Sequence, residues 1–378
     1  MNIVHFTGYK KQNANGVDVI VAKLAKEQKK LGHKISFWTI DKSKNEISIE
    51  IVDGFEIVKF PEHKLALKNF ILNKSIKEYL SDIKIDIFHL HSVYLPRNIS
   101  IAILLNKLNI PYIVTPHGGY DINSRKKSII SNIKKSIFDI LYEKKFLNRA
   151  KGIQALTEQE KKDIQRLSKN DNIFIIPNGI EDNLNYVQSQ CKEFKIDSDY
   201  IVYCGRLDIQ HKGIDILINS FILYKKIYKS DLKLVIIGPN NKEVENIIRK
   251  SKFIDDIILT GTLYGEEKNY VIQNSNFFIH TPRWEAFGMT IIEAMQLGKT
   301  VLITENCDIA NTISQYNYGI VSKLEPKEIA RNIDILYRKS GKDDFLREQL
   351  HLSKLIISEC YNIKKITYDI CEKYIEVI

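Results

Sequence analysis

The 378 residues exceed the usual size of one hydrophobic core, so two domains of comparable size are expected. Hydrophobic residues make up 44% and charged residues 27%, an ordinary globular balance that excludes a disordered chain. The net charge of +10 lies in the first half: residues 1–185 carry 30 Lys+Arg against 20 Asp+Glu, and residues 186–378 carry 26 of each.

The apolar run Ile3–Phe6 is too short for a signal peptide and reads as a first strand. A glycine-bearing loop spans Gly8 to Gly16. Val17, Ile20, Val21, Leu24, Gln28 and Leu31 then recur at helical spacing, with one polar lapse at Gln28, and Gly32 stands where a helix C-terminal glycine belongs. Strand material at Ile35–Ile40 completes a first βαβ unit of an open parallel sheet. The stretches Ile85–His91 and Pro111–Gly119 read as buried strands ending in His and Gly, and 152–157 and 173–180 repeat the pattern. The apolar stretch Ile99–Leu108 is too short and interrupted to span a bilayer. Periodicity is lost over 183–199, a linker. A second strand–helix series starts at Tyr200 with YIVYCGRL and continues through KLVIIGPN, DIILTGTL, NFFIHTP and TVLIT. The expected domains are 1–185 and 186–360. A last helix over about 361–378, without an obvious sheet partner, is a candidate to pack back onto the first domain.

Cys191, Cys204, Cys307, Cys360 and Cys371 are odd in number, irregularly spaced and without a Cys-x-x-Cys pair. That argues for reduced, cytoplasmic thiols and against a zinc or disulfide framework.

Chemistry concentrates in two stretches. In TPRWEAFGMTIIEAMQLGKTVLIT, a strand ends at His280, a loop carries Glu285, Phe287 and Gly288, and a helix begins near Gly288–Met289 and carries Glu293. Free backbone N–H groups at that helix start suit a phosphate. Glu285 and Glu293 can accept hydrogen bonds from hydroxyls at two places along one elongated ligand. In GRLDIQHKGIDILI, Arg206 and Lys212 follow a strand ending at Gly205 and precede a helix near Gly213; two cations there suit a diphosphate clamp, the alternative being ordinary surface cations. Arg is scarce in this chain, which draws attention to Arg206.

Together these stretches resemble the retaining glycosyltransferases of family 4. The family's Glu-x7-Glu signature appears as EAFGMTIIE and its Gly-Arg-Leu…Lys-Gly stretch as GRLDIQHKG. LGHKI, TPHGG and PNGI fit the N-terminal half more loosely, and Asn15-Gly16 stands where the family has a Gly-Gly pair. The resemblance implies an α/β GT-B fold, two Rossmann-like doubly wound parallel-sheet domains facing a cleft. The N-terminal domain would bind the acceptor and the C-terminal domain the donor. It implies that Arg206 and Lys212 bind the donor diphosphate, that Glu293 holds the ribose hydroxyls, and that Glu285 contacts the donor sugar amid the N–H groups of Phe287, Gly288 and Met289. His117 would act beside the anomeric centre and the sugar's outer hydroxyl, and Gly16 would admit the phosphate closely. The expected partners are a nucleotide-sugar donor and a glycan or lipid-linked acceptor in cell-surface polysaccharide or lipopolysaccharide synthesis. No cofactor or metal is expected: Asp197–Asp199, the one Asp-x-Asp of that linker, precedes its strand.

Weaker signals accompany these. Residues 125–151 carry nine Lys+Arg and two Asp+Glu, with Ile129, Ile130, Ile133, Ile137, Ile140 and Leu141 at helical spacing. This helix can lie on an anionic membrane, or pack its stripe on the sheet and solvate its lysines. His89 and His91 alternate on a strand and suggest structural or cleft-lining roles for want of a third ligand nearby. No aromatic-studded basic motif points to nucleic acid. Two other functions remain open at this level: a GT-B-fold sugar-nucleotide epimerase, and a non-catalytic nucleotide-sugar-binding subunit.

Overall fold

Contiguous apolar runs become parallel strands buried on both faces, as a sheet covered by helices requires. The structure is a computed structural model describing residues 1–9, 16–41, 43–61, 74–121, 129–181 and 196–378. Asn15, Cys191 and the expected boundary at 185/186 lie outside the described residues. The chain divides into two units, Met1–Gly179 with Ile363–Ile378, and Ile180–Asn362.

The first unit contains β1 (Asn2–Phe6), β2 (Lys34–Asp41), β3 (Ser48–Val52), β4 (Phe55–Pro61), β5 (Ile87–His91), β6 (Tyr112–Thr115), β7 (Gly152–Ala155) and β8 (Ile173–Ile175). They form one sheet in the order β3-β4-β2-β1-β5-β6-β7-β8. Every pair is parallel except the hairpin β3–β4. That hairpin, absent from the expected elements, turns at Asp53 and Gly54 with φ of 51° and 77°. Positive φ at both central residues is what the right-handed twist of a hairpin demands. The first helix runs Gly16–Lys30 and buries Val21, Leu24 and Gln28. Leu31 departs from its expected apolar stripe: it lies beyond the last helical turn and is 50% exposed. Gly32 follows at φ 84°, ending the helix in the left-handed region.

The C-terminal helix Ile363–Val377 belongs to this unit. Ile366, Ile370 and Tyr374 share a buried cluster with Ile3, Val21, Leu24 and Phe37. Each buried Ile contributes on the order of 2 kcal/mol.

In the second unit β9 (Tyr200–Cys204), β10 (Lys233–Ile237), β11 (Ile257–Gly261), β12 (Phe277–His280), β13 (Val301–Thr304) and β14 (Ile320–Ser322) form an all-parallel sheet ordered β11-β10-β9-β12-β13-β14. The short β14 was not foreseen. The connection after β9 leads to β10 on one side, while β12 pairs on the other. The loops leaving β9 and β12 therefore emerge side by side at a topological switch point, where open α/β sheets take ligands. Both motif stretches lie on these loops. Among the described residues, no helix is long and apolar enough to cross a membrane.

Candidate active site

Within the second unit, the loop after β9 turns through a short helix, Ile209–Lys212, into the helix Ile214–Tyr228. Asp208 caps the short helix by accepting from the His211 N–H at 2.9 Å. Gly213 joins the two helices at φ 61°, and a Cβ there would stand 2.1 Å from the Thr281 carbonyl oxygen. Only glycine lets the β9 and β12 loops approach so closely.

That approach brings Lys212 onto Glu285. The Lys212 ammonium donates to Glu285 Oε2, which also lies 3.0 Å from Nε2 of the buried His280. Burial alone would raise the Glu285 carboxyl; the hydrogen bond from His280 and the Lys212 charge outweigh it and hold the group well below the ordinary carboxylate range. Burial lowers His280 in turn, against the pull of Glu285. The Glu285 backbone is pinned to the segment after β13: its N–H donates to the Asn306 carbonyl at 2.9 Å, and its carbonyl accepts from the Asp308 N–H at 3.0 Å.

Gly288, at φ 76°, caps the helix Met289–Gln296. A Cβ on Gly288 would lie 2.7 Å from Ile291 Cδ1 and 3.2 Å from Glu285 Cγ, so glycine here keeps the Glu285 side chain in place. Phe287 is buried edge-on against Tyr361. Glu293, in the second turn of the helix, accepts at Oε2 from Lys268 Nζ at 2.8 Å.

Arg206 is exposed, and its Nη2 lies 3.2 Å from His211 Nδ1. Among the described residues it shares no hydrogen-bond partner with Lys212. The His211 ring in turn stacks on Trp284 with centroids 4.6 Å apart. Burial lowers His211 to about 4, with Lys212 adding to the effect, so the ring is neutral at pH 7 and can accept from Arg206. Arg206 also lines an open cavity with Asp208, Gln210, Asn240 and Glu243.

Two residues here escaped the sequence reading. Arg283 grips Asp215 with two hydrogen bonds of 2.7 and 2.8 Å and donates to the Ile209 carbonyl, fastening one loop to the other. Lys268 faces Glu293 from the helix Gly265–Gln273. Neither pairing has a local signal, because the partners lie 68 and 25 residues apart.

In the first unit Gly16 opens the helix Gly16–Lys30 and is exposed, with nothing among the described residues within 4 Å of where a Cβ would stand. His117 follows β6 at φ 54°, with Gly118 at 77°. Its Nε2 lies 3.1 Å from His91 Nδ1. His5, which the sequence reading passed over, pairs in register with His89 across β1 and β5. One ring nitrogen from each of His5, His89 and His91 lies within 4.8 Å of the other two, so a third candidate ligand exists. Yet every ring nitrogen of the three has a hydrogen-bond partner, which supports the structural role expected for His89 and His91. Asp199, from the Asp-x-Asp, accepts from the Tyr337 hydroxyl at 2.7 Å.

The family model for Glycosyltransferase Family 4 matches residues 14–184, and that for Glycosyl transferases group 1 matches 188–350. The chain is 26% identical over 372 residues to the probable sucrose-phosphate synthase of Thermosipho melanesiensis, covering 87% of this chain and 85% of that protein. It is 32% identical over 142 residues to the O-antigen biosynthesis glycosyltransferase WclY of Escherichia coli, covering 36% and 38% respectively. The solved structure of Anabaena Alr3699/HepE in complex with UDP and glucose matches over the whole of both chains, with a TM-score of 0.74 at 14% identity, a likeness of fold.

Proposed function

We propose, since this chain belongs to glycosyltransferase family 4 and carries the paired Rossmann-like units of the GT-B fold, that it moves a hexose-type sugar from a nucleotide-diphosphate donor to a glycan or lipid-linked acceptor with retention of anomeric configuration. The observation that carries the reading is the meeting of the two motif stretches at Lys212 and Glu285, beside the helix that starts at Met289. Breaking the anomeric bond puts negative charge on the departing diphosphate. Arg206, Lys212 and the N–H groups of Phe287, Gly288 and Met289 are the groups to stabilise it. Lys212 already sits on Glu285, so an arriving phosphate meets an ammonium positioned by a carboxylate.

Glu293 takes the ribose diol in this reading: Lys268 holds Oε2, and Oε1 remains as acceptor. Glu285 accepts from the donor sugar's hydroxyls. Retention follows if the acceptor attacks from the face the diphosphate leaves and a donor phosphate oxygen takes the acceptor proton. This scheme needs no metal, and no carboxylate pair flanking the bond as in glycosidases. His117 serves the sugar's outer hydroxyl, and Gly16 admits the phosphate.

A lipid-linked acceptor at the inner face of the cytoplasmic membrane is the counterpart we propose. Ile133, Ile137, Ile140 and Leu141 are exposed rather than packed on the sheet, beside the exposed Lys134, Lys144, Lys145 and Arg149. An apolar stripe flanked by lysines suits an anionic surface. The WclY likeness supports polysaccharide or lipopolysaccharide precursors as the setting.

A thermal-shift screen against UDP, GDP, ADP and their sugars, followed by NMR of the product's anomeric proton, tests the reading. Stabilisation by one nucleotide sugar and a product with the donor's anomeric configuration are expected. An epimerised nucleotide sugar formed without acceptor, or binding without transfer or hydrolysis, would contradict it.

A further inference from the structure

A series of hydrogen bonds that begins at the Ile176 carbonyl ends on His117. The Ile176 carbonyl can only accept, so Gln154 must turn its Nε2 toward it, 2.8 Å away. Gln154 Oε1 then accepts the Thr115 hydroxyl proton at 2.9 Å. With that proton spent, Thr115 Oγ1 accepts from His89 Nε2–H at 2.6 Å. A neutral imidazole has one donor and one acceptor, so His89 Nδ1 accepts from the Tyr374 hydroxyl at 2.6 Å. Tyr374 Oη accepts from Gln28 Nε2 at 3.4 Å, the longest link. Gln28 Oε1 therefore faces His5 and accepts from its Nε2–H at 2.7 Å. His5 Nδ1 accepts from His91 Nε2–H at 2.9 Å, and His91 Nδ1 from His117 Nε2–H at 3.1 Å.

We infer that this one-way chain of eight hydrogen bonds fixes His117 as the Nε2–H tautomer and presents its Nδ1 lone pair to a ligand hydroxyl, with Thr115, Tyr374, Gln28, His5 and His91 as positioning residues. Independent observations agree. His117 Nδ1 is buried and has no partner among the described residues. The residue occupies the left-handed region, a backbone cost that aims the ring. Burial lowers His5 and His117 to about 4, and His89 and His91 well below the usual value, so all four rings are neutral at pH 7, as the one-donor, one-acceptor rule requires. A chain of aligned hydrogen bonds in a low dielectric also polarises each of its members. A metal held by His5, His89 and His91 would need lone pairs that the chain already uses.

The identity of the hydroxyl as a sugar's rests on the proposed function; the tautomer does not. Long-range 1H–15N correlation spectra of the full chain labelled with 15N-histidine, at neutral pH, read each ring nitrogen separately, with His117→Asn providing the assignment. His5, His89, His91 and His117 are each expected as the Nε2–H form. Thr115→Val cuts the chain next to its anchor and should turn the single tautomer of His117 into a mixture, while Thr115→Ser restores it. A protonated Nδ1 at His117 in the unsubstituted protein overturns the proposal whether or not the variants fold. So does a single tautomer that survives Thr115→Val, or the displacement of these signals by stoichiometric zinc. UDP-glucose should move the His117 Nδ1 signal; an unmoved signal with the Nε2–H tautomer intact would remove the sugar contact and leave the chain standing.

Discussion

The Lys212 ammonium and the His280 ring converge on one oxygen, Oε2 of Glu285, although Lys212 and Glu285 lie 73 residues apart in sequence. The loops after two adjacent strands are locked together there by a charge pair that the sheet's switch point makes possible. Charge and loop geometry are thus coupled at one carboxylate.

Replacing Glu285 by Gln should cost roughly 3–5 kcal/mol near neutrality, the range for a broken buried ion pair. The sign with pH follows from the depressed carboxyl. Its contribution is complete above the ordinary value of 4.5 and is lost as the pH falls toward the lower folded value. Urea midpoints of parent and Glu285→Gln should therefore converge as the pH is lowered below 4.5. Parallel curves across that range would mean that Glu285 is not held ionised.

Gly213→Ala introduces a Cβ at φ 61°, 2.1 Å from the Thr281 carbonyl. A loss of at least about 1–2 kcal/mol is expected from the left-handed backbone alone. Gly341→Ala, whose Cβ would meet nothing within 4 Å among the described residues, is the control. Equal melting temperatures for the two variants would show that the loops yield without cost.

Arg206→Ala should lower turnover by roughly two to three orders of magnitude, comparable to losing one oxyanion donor. Since Arg206 is exposed and its side chain contacts His211, the melting temperature should barely move. Near-normal turnover with the same donor would remove Arg206 from the clamp.

Ile133, Ile137, Ile140 and Leu141 are 55%, 52%, 63% and 50% exposed. Replacing all four by Ser should abolish co-sedimentation with anionic liposomes while leaving the fold intact by circular dichroism. The parent should bind less as salt is raised, since the lysines contribute through screened charge. Equal binding to neutral and anionic vesicles would argue against the charged surface.

Much of this architecture was legible because parallel strands are covered on both faces and appear as unbroken apolar runs. Gly32 announced a helix end, and Gly213 and Gly288 announced helix starts. The hairpin at Asp53-Gly54 carried its signal openly and was passed over. The polar lapse at Gln28 marked the helix residue that bonds His5 inside the core. What no local pattern could show is which distant residues meet: His5 with His91, Arg283 with Asp215, Lys268 with Glu293. Register and loop packing decide those pairings. The motif residues of the second unit were legible individually, but the Lys212–Glu285 contact was not.

The central claim is that the β9 and β12 loops of the second unit hold the activated sugar. A crystal structure of the protein soaked with a nucleotide sugar that stabilises it measures this directly. The account predicts diphosphate density against Lys212, Arg206 and the N–H groups of Gly288 and Met289, with the ribose at Glu293. Density for the intact donor away from all of these residues would contradict it.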